Sequence, residues 1–203
     1  MREARDLYLE HRRLWDLAWR LLGHGARTHT VTSWTGLSEH RVRALVQRYA
    51  PRNGRSIKRP RGKAPHSMEL LLRSPQKRRE AATFAQICFQ TGLLNGSAMP
   101  HPLPDVARGE AICQAFEQFD KSCARASLTI DEGILVVCTL TQNTQYQFVL
   151  CTTCCSPMLV DQLAPTVTRS RSCCVRCART RQIKCSDQAL LPDELSLGLP
   201  PTK

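Results

Sequence analysis

For most of the first 140 residues, apolar positions recur at helical spacing; near residue 145 that rhythm gives way to short apolar runs among cysteines. Leu7, Leu14, Leu17, Ala18 and Leu21, widened by Trp15, Trp19 and Leu22, predict a helix over residues 3–22, ended by Gly23 and Gly25. Such a wide stripe suits burial in its own domain or against another subunit. Two short helices follow around a tight turn. The first covers 30–35, Gly36 supplies the turn, and Ser38 is a suitable N-cap for the second, which carries Val42, Leu45 and Val46 inward until Pro51 stops it.

Residues 51–66 are rich in Arg, Lys, Pro and Gly and read as a basic loop or arm. Ser74-Pro75 opens a third helical pattern through Ala81, Phe84, Ala85, Ile87 and Cys88. A fourth runs over 105–126 with Ile112, Ala115, Phe116, Phe119 and Cys123 on one side. The stretch 128–140 reads as a helix despite its β-branched residues, with Asp131-Glu132 as a charge pair at its start. A short strand at 146–150 then leads into the cysteines, and the proline-rich tail at 186–203 is expected to be disordered. The expected architecture is mainly α: a helical domain over 1–140 with a helix-turn-helix-like segment and a basic stretch at 51–80, then a small four-cysteine zinc ribbon over 141–185.

The cysteines change the picture most. Cys151-Thr-Thr-Cys154 and Cys174-Val-Arg-Cys177 are two C-x-x-C pairs with 19 residues between them. Each such turn points two thiolates at one metal, and two turns complete a tetrahedral sulfur shell. One structural Zn2+ on Cys151, Cys154, Cys174 and Cys177 is the expected cofactor. Cys155, Cys173 and Cys185 adjoin this set without a clear role, Cys155 sitting one residue too late for the usual turn. A redox pair and oxidised disulfides are competing readings, but the βαβ pattern of redox motifs is missing. Cys88, Cys113, Cys123 and Cys138 fall at helical apolar spacing and read as small buried residues.

Charge points to a polyanion. The 203-residue chain carries 29 Lys and Arg against 17 Asp and Glu, a formal net charge of +12. Between 38 and 80, thirteen basic residues face three acidic ones, and a second basic run without acids flanks the cysteines at 169–184. The helix after Gly36 leaves Ser38, His40, Arg41, Arg43 and Gln47 toward solvent, residue types that reach phosphates and base edges from the major groove. With Arg55, Lys58, Arg59, Arg61 and Lys63 of the arm, they form the expected DNA-binding set. Aromatic residues are 5% and do not interleave with the basic runs, which favours duplex DNA over single strands. The competing readings are an ordinary helical hairpin with a solvated charged face, an RNA-binding zinc ribbon, and a protein adaptor.

Sequence signatures of metalloproteases, phosphate loops, dinucleotide folds and serine hydrolases are absent, so no enzyme is expected. No run of apolar residues is long enough to span a membrane, and no apolar signal core follows the N-terminus, so a cytoplasmic, reducing location is expected. Asn95-Gly96-Ser97 fits a glycosylation sequon without consequence there.

Four places in order bring a family into view: Gly25-Ala26-Arg27 leading to Thr35-Gly36-Leu37-Ser38-x-x-Arg41-Val42; Gln90-Thr91-Gly92-Leu93-Leu94-Asn95-Gly96; Leu128-Thr129-Ile130; and the two C-x-x-C pairs. Over roughly residues 3 to 180 the chain resembles the bacterial flagellar transcriptional activator subunit FlhC. The resemblance implies a mostly helical DNA-binding activator of flagellar genes, in a hetero-oligomer with an FlhD-like subunit and recruiting RNA polymerase. It implies the same four zinc ligands. The chain departs from that pattern as a diverged paralogue would: in its basic stretch 52–79, in the loss of aromatic residues at 133–138, and in a long loop between the cysteine pairs.

Overall fold

Helix α1 (Arg2–Gly23) buries Leu17, Ala18, Leu21 and Leu22, one stripe of its C-terminal half, with Trp15 and Trp19 partly covered beside it. This computed structural model describes residues 2–49, 60, 62–94, 105–142, 145–163, 173, 174, 176 and 177. After α1 the chain turns through Gly25 into α2 (Thr28–Thr35) and α3 (Glu39–Tyr49). Gly36 joins these two at φ +67°, a left-handed conformation that a side chain would strain, and its N–H bonds to the Thr32 carbonyl. Val31, Leu37, Val42, Leu45 and Val46 are buried and lock the pair.

A six-residue helix, α4 (Met68–Arg73), was not expected from the sequence. Ser67 caps it and Met68, Leu71 and Leu72 turn inward, so the basic segment expected over 51–80 is helical from residue 68 onward apart from the Ser74 junction. Ser74 then caps α5 (Pro75–Gln90), with Pro75 in the first turn, where its missing N–H costs nothing. Asp105 caps α6 (Val106–Ser122), which ends four residues earlier than expected. The last helix, α7 (Ile130–Gln142), confirms the helical reading of its β-branched stretch, shifted two residues toward the C-terminus.

The core is one continuous cluster. Phe84 of α5 meets Phe116 and Phe119 of α6 edge-on, each pair with ring centroids 5.8 Å apart. Gly109 lets α1 and α2 press against α6: a Cβ there would lie 2.7 Å from Leu17 Cδ2 and 3.3 Å from Trp34 Cε3. Along the outer seam between α1 and α6, Arg13 pairs with Glu110 at 2.7 Å and Arg20 with Glu117 at 2.8 Å.

β1 (Tyr146–Leu150) and β2 (Pro157–Asp161) form an antiparallel hairpin in the register Tyr146↔Asp161 to Leu150↔Pro157. It lies on α5: the Phe148 ring sits 4.7 Å from that of Phe89, and Tyr146 and Leu159 join the helical core. Among the described residues, the protein is thus mainly helical, with a small cysteine-bearing ribbon at its C-terminal side. No helix among them is long and apolar enough to cross a membrane. The region expected to be a disordered tail, 186–203, lies outside the described residues.

Candidate metal centre and basic helix face

The hairpin's own turn makes the first half of the centre. Its register ends at Leu150↔Pro157, leaving 151–156 as the connecting loop. The Cys151 N–H donates to the Ser156 carbonyl at 2.9 Å and the Cys155 N–H to the Cys151 carbonyl at 2.8 Å, which folds the loop into a knuckle. That turn brings the Cys151 and Cys154 thiols to one side. The Cys174 and Cys177 thiols meet them, and all four Sγ atoms lie within 4.8 Å of one another. Cys154 Sγ and Cys174 Sγ are 3.6 Å apart. A tetrahedral metal with bonds of about 2.3 Å requires sulfurs about 3.8 Å apart, so the set fits such an ion.

The local dipoles favour thiolate. The Cys174 N–H donates to Cys151 Sγ at 3.3 Å, and this bond leads the causes that lower the Cys151 pKa to about 5. The Ser156 hydroxyl, 3.2 Å from Cys154 Sγ, holds that thiol below its ordinary value as well. Cys177 goes the other way: its contacts with the Cys154 and Cys174 sulfurs push it up, so an incoming cation must displace its proton. Cys151 is buried, Cys174 and Cys177 are half-buried and Cys154 is exposed.

The neighbouring cysteines separate cleanly from this set. Cys155 is exposed with φ +55° and stands outside the cluster, in keeping with its off-register spacing. Cys173 is buried, its sulfur 3.7 Å from the Thr153 hydroxyl. Cys185 lies outside the described residues. Cys88 and Cys113 are fully buried in the helical core, and burial raises both to about 12, beyond ready reactivity. Cys123 and Cys138 are only half-buried.

A second candidate is the outer face of α3. Val42, Leu45 and Val46 turn inward, and Ser38, His40, Arg41, Arg43 and Gln47 are all exposed. Ser38 also caps the helix, its hydroxyl accepting the Arg41 N–H at 3.4 Å. Arg43 is already engaged by Glu39 one turn earlier at 2.8 Å, an exposed pair that a stronger anion can displace at little cost. In the arm, Lys63 is exposed beside Arg27, Thr28 and His29, where they line an open groove of about 420 Å³ at the start of α2. Arg55, Lys58, Arg59 and Arg61 lie outside the described residues.

Reading the sequence missed two contributors. Ser156 organises the first knuckle through both its carbonyl and its hydroxyl, and only its place two residues after Cys154 hints at that. Asp131, expected only as part of a charge pair at a helix start, is buried; its partners lie about a hundred residues upstream, beyond any local signal. Comparison with protein families finds no matching family, and comparison with characterised proteins finds no match.

Proposed function

We propose that this protein is a DNA-binding transcription regulator in which α3 lies in the major groove and a structural zinc ion stiffens the ribbon. The observation that carries the reading is the division of α3: one face is clamped by buried Val42, Leu45 and Val46, and the other presents Ser38, His40, Arg41, Arg43 and Gln47 to solvent. The preceding helix and its glycine turn give the arrangement of a helix-turn-helix. The net charge of +12, concentrated in the arm and around the cysteines, supplies phosphate affinity.

Zinc is the metal of choice for four thiolates at tetrahedral spacing, and a filled sulfur shell leaves no position for substrate. This supports a structural rather than a catalytic role for the ion. When bound, the ion supplies charge neutralisation and a rigid crosslink; this chain's residues set the thiolates. The resemblance to FlhC extends the reading to an activator of flagellar genes in the cytoplasm, acting in a hetero-oligomer with an FlhD-like subunit and contacting RNA polymerase.

Gel shifts of the full chain, alone and co-expressed with an FlhD-like subunit, on duplex DNA, duplex RNA and single strands test the proposal. Duplex DNA should be preferred, with affinity falling steeply as salt rises. Replacing Arg41 and Arg43 together by Ala should weaken duplex binding about tenfold or more. Preference for RNA, or undiminished DNA binding by the double variant, contradicts the reading.

A further inference from the structure

Helix α2 has no capping side chain of its own: the residue before it is Arg27, which makes no side-chain cap. Helix starts leave backbone N–H groups unsatisfied, and an acceptor is normally supplied by the adjacent residue. Here a carboxylate comes from 104 residues downstream. Asp131, in the first turn of α7, accepts the Arg27 backbone N–H at 3.4 Å, the Thr30 hydroxyl at 2.5 Å and the Arg27 guanidinium at 2.7 Å. Its side chain is 1% exposed, and it is the only buried acid among the described residues.

The same helix is tied elsewhere at its start and tied to the ribbon at its end. Glu132 pairs with Lys77 of α5. At the other end, the chain passes from Gln142 to β1 at Tyr146, whose hairpin carries the first cysteine pair. So α7 is a strut. One end grips the entry to the α2–α3 pair, and the other is continuous with the metal centre.

The composition of the grip suits orientation better than stability. Arg27 engages through Nη1, and its Nε is buried with no hydrogen-bond partner. Burying the Asp131 charge and part of the Arg27 guanidinium, with Nε left without a partner, carries a desolvation penalty that an apolar pair would avoid. What a directional, charge-assisted cluster adds is a defined angle and register between two helices.

We infer that Asp131 is a positioning residue for the reading helix: its grip on Arg27 and Thr30 fixes the α2–α3 pair on the strut that leads to the metal centre. The consequence for DNA rests on the function proposed above; the consequence for α2 does not. Loosening the grip leaves α3 its side chains but not its aim. Sequence preference should then fall while charge-driven binding stays.

The test uses the full zinc-bound chain and compares Asp131→Asn with wild type. Asparagine keeps the volume and one acceptor but loses the charge. Hydrogen exchange of α2 should rise by about tenfold or more, the scale of a lost charge-assisted hydrogen bond, with α5 protection and zinc content unchanged. Preference for a duplex enriched by the wild-type protein from a random pool, over a mixed-sequence duplex, should fall by a similar factor at unchanged salt slope. Should Asp131→Asn not fold, Thr30→Val, which deletes one hydroxyl at constant size, must raise α2 exchange in the same direction. Unchanged exchange in α2 in the folded variant overturns the inference. If wild type enriches no sequence, the DNA-reading proposal fails, and the exchange result alone then decides whether Asp131 holds α2.

Discussion

In the helical body Phe84, Phe119 and Ile112 lose all contact with solvent, whereas between Cys151 and Leu163 only Cys151, Leu159 and Val160 are buried. The body closes around three phenylalanines packed edge-on or tilted and around buried Trp34, with Trp15 and Trp19 partly covered beside them. The ribbon offers two paired strands, one ring against Phe89, and thiols. A two-stranded hairpin is marginal in water, and a segment this small needs a staple. Apolar burial holds the body; the ribbon has little of it, and on the proposed reading its staple is the metal that the four sulfurs would hold.

The largest expected effect comes from taking that staple away. Structural zinc sites bind with apparent free energies of about 10 kcal/mol or more, and that energy becomes folding energy where no site exists in the unfolded chain. Chelation, or Cys151→Ser, should abolish amide protection over β1 and β2 in hydrogen exchange while α1, α5 and α6 remain protected. Equal loss in both regions would mean that the body, too, depends on the ion. Retention of metal by both Cys151→Ser and Cys174→Ser would exclude this ligand set.

The complementary break is in the body. Phe84→Ala removes a fully buried ring between Phe116 and Phe119 and should cost about 3–5 kcal/mol of stability by thermal or urea unfolding. Zinc content per folded chain should be unchanged. A cost below about 1 kcal/mol would show that the core can collapse into the space.

The smallest effect sharpens the comparison at the surface. Burial alone would push the Glu117 carboxyl up, but hydrogen bonds from Arg20 and His24 outweigh it and hold it below the ordinary value. A depressed carboxylate stabilises the fold above its unfolded pKa, and that contribution is lost as pH falls through the folded one. Glu117→Gln should therefore cost about 0.5–1 kcal/mol at pH 7, discounted for its exposure, and the gap to wild type should close below about pH 4. A gap that persists at pH 3 would assign the loss to packing instead.

How much of this was legible depended on how local each cause is. The rhythm of Leu17, Ala18 and Leu21, the cap and proline at Ser74-Pro75, and the glycine turn at Gly36 are all short-range, and they placed α1, α5 and the α2–α3 pair to within a few residues. The C-x-x-C spacing placed all four thiols, because each pair brings two of them within one short stretch of chain. Helix α4 went unseen: six residues offer less than two turns of pattern, and the basic arm before it suggested more loop. Glu39 sits one turn before Arg43, a spacing visible in the sequence, yet whether such an exposed pair forms depends on rotamers. Asp131 was illegible for a different reason. Its charge marked a helix start, but burial by Arg27 and Thr30 arises only when α7 packs against α2.

X-ray absorption at the zinc edge of the purified full chain reads the metal shell itself. One zinc per chain, surrounded by four sulfurs at about 2.3 Å, is the expected result. A shell containing nitrogen or oxygen ligands, or a folded ribbon with no zinc at all, would contradict it.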